Sequence, residues 1–216
     1  MVIAQPERVL LHAQMVRYGS LLRGELLDVG SGRFNRYRVC CPNATSWKTL
    51  DVDDRWKPDY VGSVESMPLP DASVDSVLCT QVLEHVAHPV QAVAEIFRVL
   101  KPGGAALITV PQWNELHEEP HDYFRYTKFG LTVLLEDAGF RIEALDQRGG
   151  YHSVLAQTII RRWLDRYRPY ERKTMGYAFF LPCALLTKWA VWRDEHDRSE
   201  ASRKHAIGWC VVVRKP

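Results

Sequence analysis

Two aspartates, two glycines and one histidine-rich loop are the residues whose types and spacing could do chemistry. The stretch Leu26-Leu27-Asp28-Val29-Gly30-Ser31-Gly32 runs from an apolar strand into an acid, then into two glycines one residue apart. Glycines at such an elbow let the backbone turn tightly and approach a ligand, and they leave amide N–H groups at the start of the next element. Asp51 closes a second apolar segment, Trp47 to Leu50, nineteen residues past Gly32. A carboxylate there can accept both hydroxyls of a ribose, so the two motifs together predict a nucleoside ligand.

Departures from the dinucleotide fingerprint narrow that ligand. In G-x-G-x-x-G the third glycine lets helix and strand close around a pyrophosphate; here the position is Asn35, preceded by Phe34. Asp28, two residues before Gly30, would repel a phosphate and suits a ligand carrying an ammonium or sulfonium cation. S-adenosylmethionine is such a ligand.

The second reactive segment runs from Pro111 to Thr127 and holds His117, Glu118, Glu119, His121, Asp122, Tyr123 and Arg125. Such a loop after a strand is where an acceptor is recognised and a general base is found, which makes His121 and His117 the candidates for proton transfer. Plainer roles predict Arg125 pairing with Glu118 or Glu119, His117 packing on Trp113, and His85 packing at a helix start. A metal site from His117, Glu118 and His121 would need a helix to put i and i+4 on one face. Pro120 argues against that helix, so no metal is expected.

The elements that must position these groups alternate. Strands are predicted at Glu25–Val29, Trp47–Leu50, Tyr60–Gly62, Val74–Thr80, Ala105–Val110, Arg141–Asp146 and Ile207–Val213. A leading helix over Pro6–Leu22 would bury Val9, Leu10, Ala13, Val16 and Leu21. A second, opened by Pro89 and stopped by Lys101-Pro102-Gly103-Gly104, would bury Val90, Val93, Phe97 and Leu100. A third starts at Thr127, buries Leu131, Leu134, Leu135 and Ala138, and closes at Gly139. The pattern predicts an α/β fold: a Rossmann-like seven-stranded, mostly parallel sheet with helices on both faces, binding its ligand at the carboxyl ends of the strands.

Asp28-Val29-Gly30-Ser31-Gly32, Asp51, the run from Val74 to His85 and Arg98-Val99-Leu100-Lys101-Pro102-Gly103-Gly104 together resemble the successive motifs of class I S-adenosylmethionine-dependent methyltransferases. The likeness is closest to the small bacterial type 11 group and covers residues 20 to 147 and the last strand. It implies that Asp28, Gly30, Gly32, Asp51, Val52, Ser63, Val64, Gln81 and Val82 hold S-adenosylmethionine, with Gln81 and Val82 near its methionine half. Ser63 stands where that family usually has an Asp accepting from the adenine amino group, and a serine hydroxyl also accepts a hydrogen bond.

The 216 residues, 46% apolar and 25% charged, fit one methyltransferase domain over 1–216, and the formal charge of +2 gives no pull toward nucleic acid. Five cysteines without a C-x-x-C pair fit reduced thiols in a cytoplasm. Residues 151–203 break the alternation as a helical insertion before the last strand. Leu155–Tyr167 reads as an amphipathic helix, and the aromatic run from Tyr177 through Lys188 to Trp192 is too short and too interrupted by Pro182 and Lys188 to span a membrane. That insertion reads as a lid beside the His117 to Tyr126 loop, as a dimer or partner surface, or as a peripheral membrane contact. The expected reaction is methyl transfer to a small-molecule or glycoconjugate acceptor, at oxygen, by a monomer or homodimer. The alternatives are a non-catalytic S-adenosylmethionine-binding module and a dinucleotide-dependent Rossmann oxidoreductase.

Overall fold

A computed structural model describes residues 3–32, 36–168 and 173–216; Phe34 and Asn35, the site of the missing third glycine, lie outside them. The chain divides into two compact units. One comprises Gln14–Gln112, Leu116–Asp146 and Trp209–Pro216, the other Met1–Ala13, Trp113–Glu115 and Gln147–Gly208.

The first unit is built on the sheet. Its strands are β1 (Gly24–Val29), β2 (Ala44–Asp51), β3 (Tyr60–Val61), β4 (Val74–Thr80), β5 (Leu100–Pro111), β6 (Arg141–Arg148) and β7 (Gly208–Arg214), in the order β3-β2-β1-β4-β5-β7-β6. The pairs β1/β2, β1/β4, β2/β3 and β4/β5 are parallel. Strand β7 runs the other way against β5. Gly103 near the start of β5 donates to Lys215 after β7, and Trp113 after β5 donates to Ile207 before β7.

Continuous burial of Leu26 to Val29, Ser76 to Cys79 and Ala105 to Pro111 shows why these strands read as apolar runs rather than alternating ones: both faces are covered. None of the five cysteines forms a disulfide, and all are buried.

Helix α1 (Pro6–Tyr18) precedes the sheet, α2 (Pro89–Val99) joins β4 to β5, and α3 (Lys128–Asp137) precedes β6. In α3, Thr127 Oγ1 accepts the Gly130 amide at 3.1 Å and Gly139 has φ +96°, so the expected cap and terminator both act. The buried faces need two corrections. Helix α1 ends at Tyr18, short of the expected Leu22; its inward residues are Leu11, Gln14 and Met15, whereas Val9 and Val16, and Leu21 beyond it, are exposed. In α2 they are Ala92, Val93, Ile96 and Val99, and Val90 is 71% exposed. Nor does Lys101-Pro102-Gly103-Gly104 lie outside regular structure. The helix ends at Val99 and β5 begins at Leu100, and Lys215, just past β7, exchanges backbone hydrogen bonds with Gly103 and Gly104.

The second unit is helical. It pairs α4 (Tyr151–Tyr167) with α5 (Lys173–His196), followed by α6 (Glu200–Arg203). Ile160 and Leu164 of α4 bury Cys183 of α5 together with Ile3, and Trp163, Phe179 and Leu186 pack around them. Gly150 offers no side chain to cap α4, so Asp194 of α5 does it. Its carboxylate accepts the amides of Gly150, His152 and Ser153 at 2.7, 2.9 and 2.9 Å. The opposite side of α5 exposes Leu181, Leu185, Trp189 and Trp192. Among the described residues no helix is long and apolar enough to cross a membrane.

Candidate active site

Parallel strands β1, β2 and β4 deliver their carboxyl ends side by side, and the groups singled out in the sequence gather there. Gly30 and Gly32 have φ of +65° and +57°, the left-handed region that glycine enters without steric cost. A Cβ on Gly30 would stand 2.5 Å from Val82 Cγ2, whereas one on Gly32 would meet nothing within 4 Å among the described residues. The first glycine therefore lets the turn after β1 pass Val82, and the second opens a space. The Gly30 amide donates to Leu50 O at 2.8 Å, fastening the turn to β2.

Asp51 is fixed by two amides. Its Oδ2 accepts Gly32 N–H at 2.8 Å and its Oδ1 accepts Asp53 N–H at 2.9 Å. A carboxylate has about four acceptor sites, so each oxygen keeps one for a hydroxyl. Asp28, opposite Thr49 of β2 and Leu78 of β4, is only 5% exposed. Burial raises its carboxyl from 3.8 to about 7, the Asp51 carboxylate adds to the rise, and the Trp47 indole opposes it. A carboxyl held against ionisation in this way is stabilised as an anion by any cation placed beside it.

The remaining predicted contacts lie on the same rim. Ser63 Oγ accepts the Glu65 amide at 3.1 Å and donates to Glu65 Oε2 at 3.4 Å, closing a small turn in which Val64 is buried. Val52, directly after Asp51, is exposed. Gln81 has φ +54°, a costly conformation for a residue with a side chain, and Thr109 of β5 holds it from both ends. Its amide donates to Thr109 O at 2.9 Å and its Nε2 to Thr109 Oγ1 at 3.1 Å.

The loop after β5 is docked on the helical turn Leu83–His85. Tyr123 and Phe124 amides donate to Glu84 O at 2.8 and 3.2 Å, and the Tyr126 hydroxyl donates to Leu83 O at 2.9 Å. At its centre lies Asp122, whose side chain is 1% exposed. Arg125 grips it with two bonds of 2.7 and 2.8 Å, in place of the expected pairing with Glu118 or Glu119. That guanidinium, helped by the His117 amide at 3.0 Å, holds the Asp122 carboxyl well below the usual carboxylate range.

His117 Nδ1 lies 3.4 Å from Asp122, and its ring meets His85 edge-on with centroids 4.8 Å apart. Nδ1 of His85 is 2.7 Å from His121 O, a carbonyl that can only accept, so this nitrogen carries the proton. His121 itself is exposed, with Nδ1 3.0 Å from the Tyr123 hydroxyl. Sequence reasoning passed over Asp122 and gave His85 only a packing role. The Asp-x-x-Arg spacing from Asp122 to Arg125 was the available signal.

A parallel sheet with a glycine turn after its first strand and an acid after its second defines the Rossmann-like class of nucleotide-binding folds. Residues 27–108 match the profile of the family described as Methyltransferase domain. A probable S-adenosylmethionine-dependent methyltransferase of Mycolicibacterium smegmatis is 41% identical over 99 residues, 43% of this chain and 38% of that protein. The chain thus spans about two fifths of the length of that relative. Among solved structures, the cyclase SpnF superposes with a TM-score of 0.62 at 23% identity, covering 95% of this chain and 80% of that one. An S-adenosylmethionine-dependent methyltransferase of Archaeoglobus fulgidus superposes with 0.59 at 14% identity, covering 96% and 94%. These two likenesses concern the fold alone.

Over residues 27–108 the chain is similar to the methyltransferase-domain family, in line with the class I, type 11 resemblance of its motifs. S-adenosylmethionine is the cofactor which that family and fold imply, and the residues present fit it. The open space at Gly32, the spare acceptor sites of Asp51 and the buried acid Asp28 match a cradle, a ribose and a cation respectively.

Proposed function

We propose that this protein transfers a methyl group from S-adenosylmethionine to an oxygen of a small-molecule or glycoconjugate acceptor, acting in the cytoplasm as a monomer or homodimer. The observation that carries the reading is the pairing of Asp28 and Asp51 on adjacent strands beside the glycine turn, two carboxylates that are only 5% and 9% exposed. Asp51 accepts the ribose hydroxyls, and Asp28 ionises against the ammonium of the methionine half. Gly30 and Gly32 admit the ligand to the backbone; Val52, Ser63 and Val64 flank the adenine; Gln81 and Val82 flank the methionine. When bound, the cofactor supplies a methyl group on a sulfonium, with a neutral thioether as leaving group.

The chain's own work is then alignment and one proton. A hydroxyl acceptor must lose its proton as its oxygen bonds to carbon, and the exposed His121 takes it, with the Tyr123 hydroxyl orienting its ring. His117, held by Asp122, is the second base of the same loop. The α4–α5 insertion exposes Leu181, Leu185, Trp189 and Trp192, an apolar face suited to an acceptor, a second copy of the chain or a membrane surface.

Calorimetry with S-adenosylhomocysteine, followed by methyl-labelled turnover on a panel of hydroxylated acceptors, tests this reading. Micromolar binding that is lost in Asp51→Ala, together with label transfer, supports it. Binding without transfer on any acceptor would favour the non-catalytic module. Thermal stabilisation by nicotinamide dinucleotides and not by S-adenosylhomocysteine would favour the oxidoreductase.

A further inference from the structure

We infer that Glu84, His85 and His117 form a binding site for a divalent first-row transition cation, in the loop where the acceptor is handled. The three side chains each offer one ligand atom, and these atoms all lie within 4.8 Å of one another. Glu84 is wholly buried, and the two rings meet edge-on. Two imidazoles and a carboxylate form a nitrogen-and-oxygen donor set that suits zinc or iron(II) and disfavours magnesium. Metal bonds of about 2.0–2.2 Å would draw the three atoms to within roughly 4 Å of each other, a contraction that small ring rotations supply. Glu118 Oε2, 3.9 Å from His85 Nε2 on an exposed side chain, is near enough to fill the fourth position until an acceptor displaces it.

The surroundings of the two rings are the independent observation. Ligating imidazoles as a rule give their other N–H to a carboxylate or a backbone carbonyl, which fixes the tautomer and turns the remaining nitrogen to the metal. His85 does this with the carbonyl of His121 at 2.7 Å, and Nδ1 of His117 faces the carboxylate of Asp122 at 3.4 Å. Arg125 holds Asp122 in place with two hydrogen bonds of 2.7 and 2.8 Å. The ligating atom is thus Nε2 on each ring. This set differs from the sequence-derived trio of His117, Glu118 and His121, because the chain folds back to put His85, not His121, against His117.

Cation binding stands apart from the methyl-transfer reading, but its use rests on that reading. A cation with an open position would bind the acceptor hydroxyl and lower its pKa; His117, then held as a ligand, would no longer act as a base, and His121 alone would carry the proton away. The test is calorimetric titration of metal-stripped protein with zinc alone, with S-adenosylhomocysteine titrated in parallel. One zinc per chain at micromolar affinity or better is expected. His85→Ala and His117→Ala should each weaken it at least about tenfold, and Asp122→Asn by about tenfold to a hundredfold through the orientation of His117. Retained S-adenosylhomocysteine binding certifies that each variant is folded. Absence of zinc binding, equal affinity in the His85→Ala/His117→Ala double variant, or equally tight magnesium binding would overturn the site. Zinc binding without S-adenosylhomocysteine binding would instead retain the site and overturn the proposed cofactor.

Discussion

Oδ2 of Asp51 accepts the Gly32 amide at 2.8 Å, so the ligand turn after β1 and the carboxylate after β2 are one hydrogen-bonded unit before any ligand arrives. Removing the carboxylate therefore costs both a contact to the ligand and the support of the turn. Asp51→Ala should weaken S-adenosylhomocysteine binding by about 1.5–3 kcal/mol, the range for hydrogen bonds to a charged group, which is roughly tenfold to 150-fold in Kd. Calorimetry measures it directly.

The two glycines of that turn should respond differently to a methyl group. Gly30→Ala combines a left-handed φ with a Cβ only 2.5 Å from Val82, and about 2–4 kcal/mol of stability should be lost. Gly32→Ala meets no neighbour within 4 Å among the described residues and should lose only about 1 kcal/mol. Denaturant unfolding of both variants, and of Gly30→Ala/Val82→Ala, checks the assignment. The double variant should recover the steric part and leave the backbone part.

Asp28 predicts the direction of a pH dependence. Its folded carboxyl lies at about 7 against an ordinary 3.8, so between those values the folded chain binds more protons than the unfolded one. Stability should fall as pH rises through that window, by on the order of 4 kcal/mol from this residue, and then level off. Asp28→Asn should remove the slope and exceed the wild type at pH 8. Ligand binding should run the opposite way, since pairing with an ammonium requires the ionised form. S-adenosylhomocysteine should bind more weakly at pH 6 than at pH 8 in the wild type and without that dependence in Asp28→Asn.

Arg125 holds a carboxylate whose side chain is 1% exposed. Breaking a buried pair by removing one partner typically costs about 3–5 kcal/mol, so Arg125→Ala should lower Tm markedly. Lysine at this position should restore little, lacking the planar fork that makes two bonds. In the intact protein the depressed Asp122 carboxyl contributes stability above the ordinary carboxylate pKa, and that contribution is lost as pH falls below it.

Leu185 and Trp189 lie on the exposed side of α5. Serine at either position should leave Tm within about 0.5 kcal/mol equivalent of the wild type. A raised KM for the acceptor at unchanged S-adenosylhomocysteine affinity would show that this face selects the acceptor.

The strands and the ligand elbow were legible because their physics is local. Buried parallel strands read as apolar runs, and a glycine pair after one of them has few other uses. Helix faces were harder to read. Val9, Val16 and Val90 are exposed apolar residues on helices whose inward faces hold Leu11 and Met15, or Val93 and Ile96. Periodicity within such short windows cannot tell an exposed valine from a buried one. The histidine cluster was half legible. His117 and His121 stood out, but the contacts that fix them come from His85, thirty-two residues before His117, and from an Asp122–Arg125 pair that no apolar pattern announces.

The strand order has a consequence in time. Because β7 lies between β5 and β6, the slot between those two strands stays open until the ribosome has produced Gly208–Arg214. Until then β5 and β6 each present unpaired backbone edges, the features that invite pairing with other chains. The parallel half, β3-β2-β1-β4-β5, can form while synthesis continues, so the glycine turn and both aspartates can be assembled before the sheet is closed. A nascent chain stalled short of Gly208 would carry the ligand-binding half on an aggregation-prone scaffold.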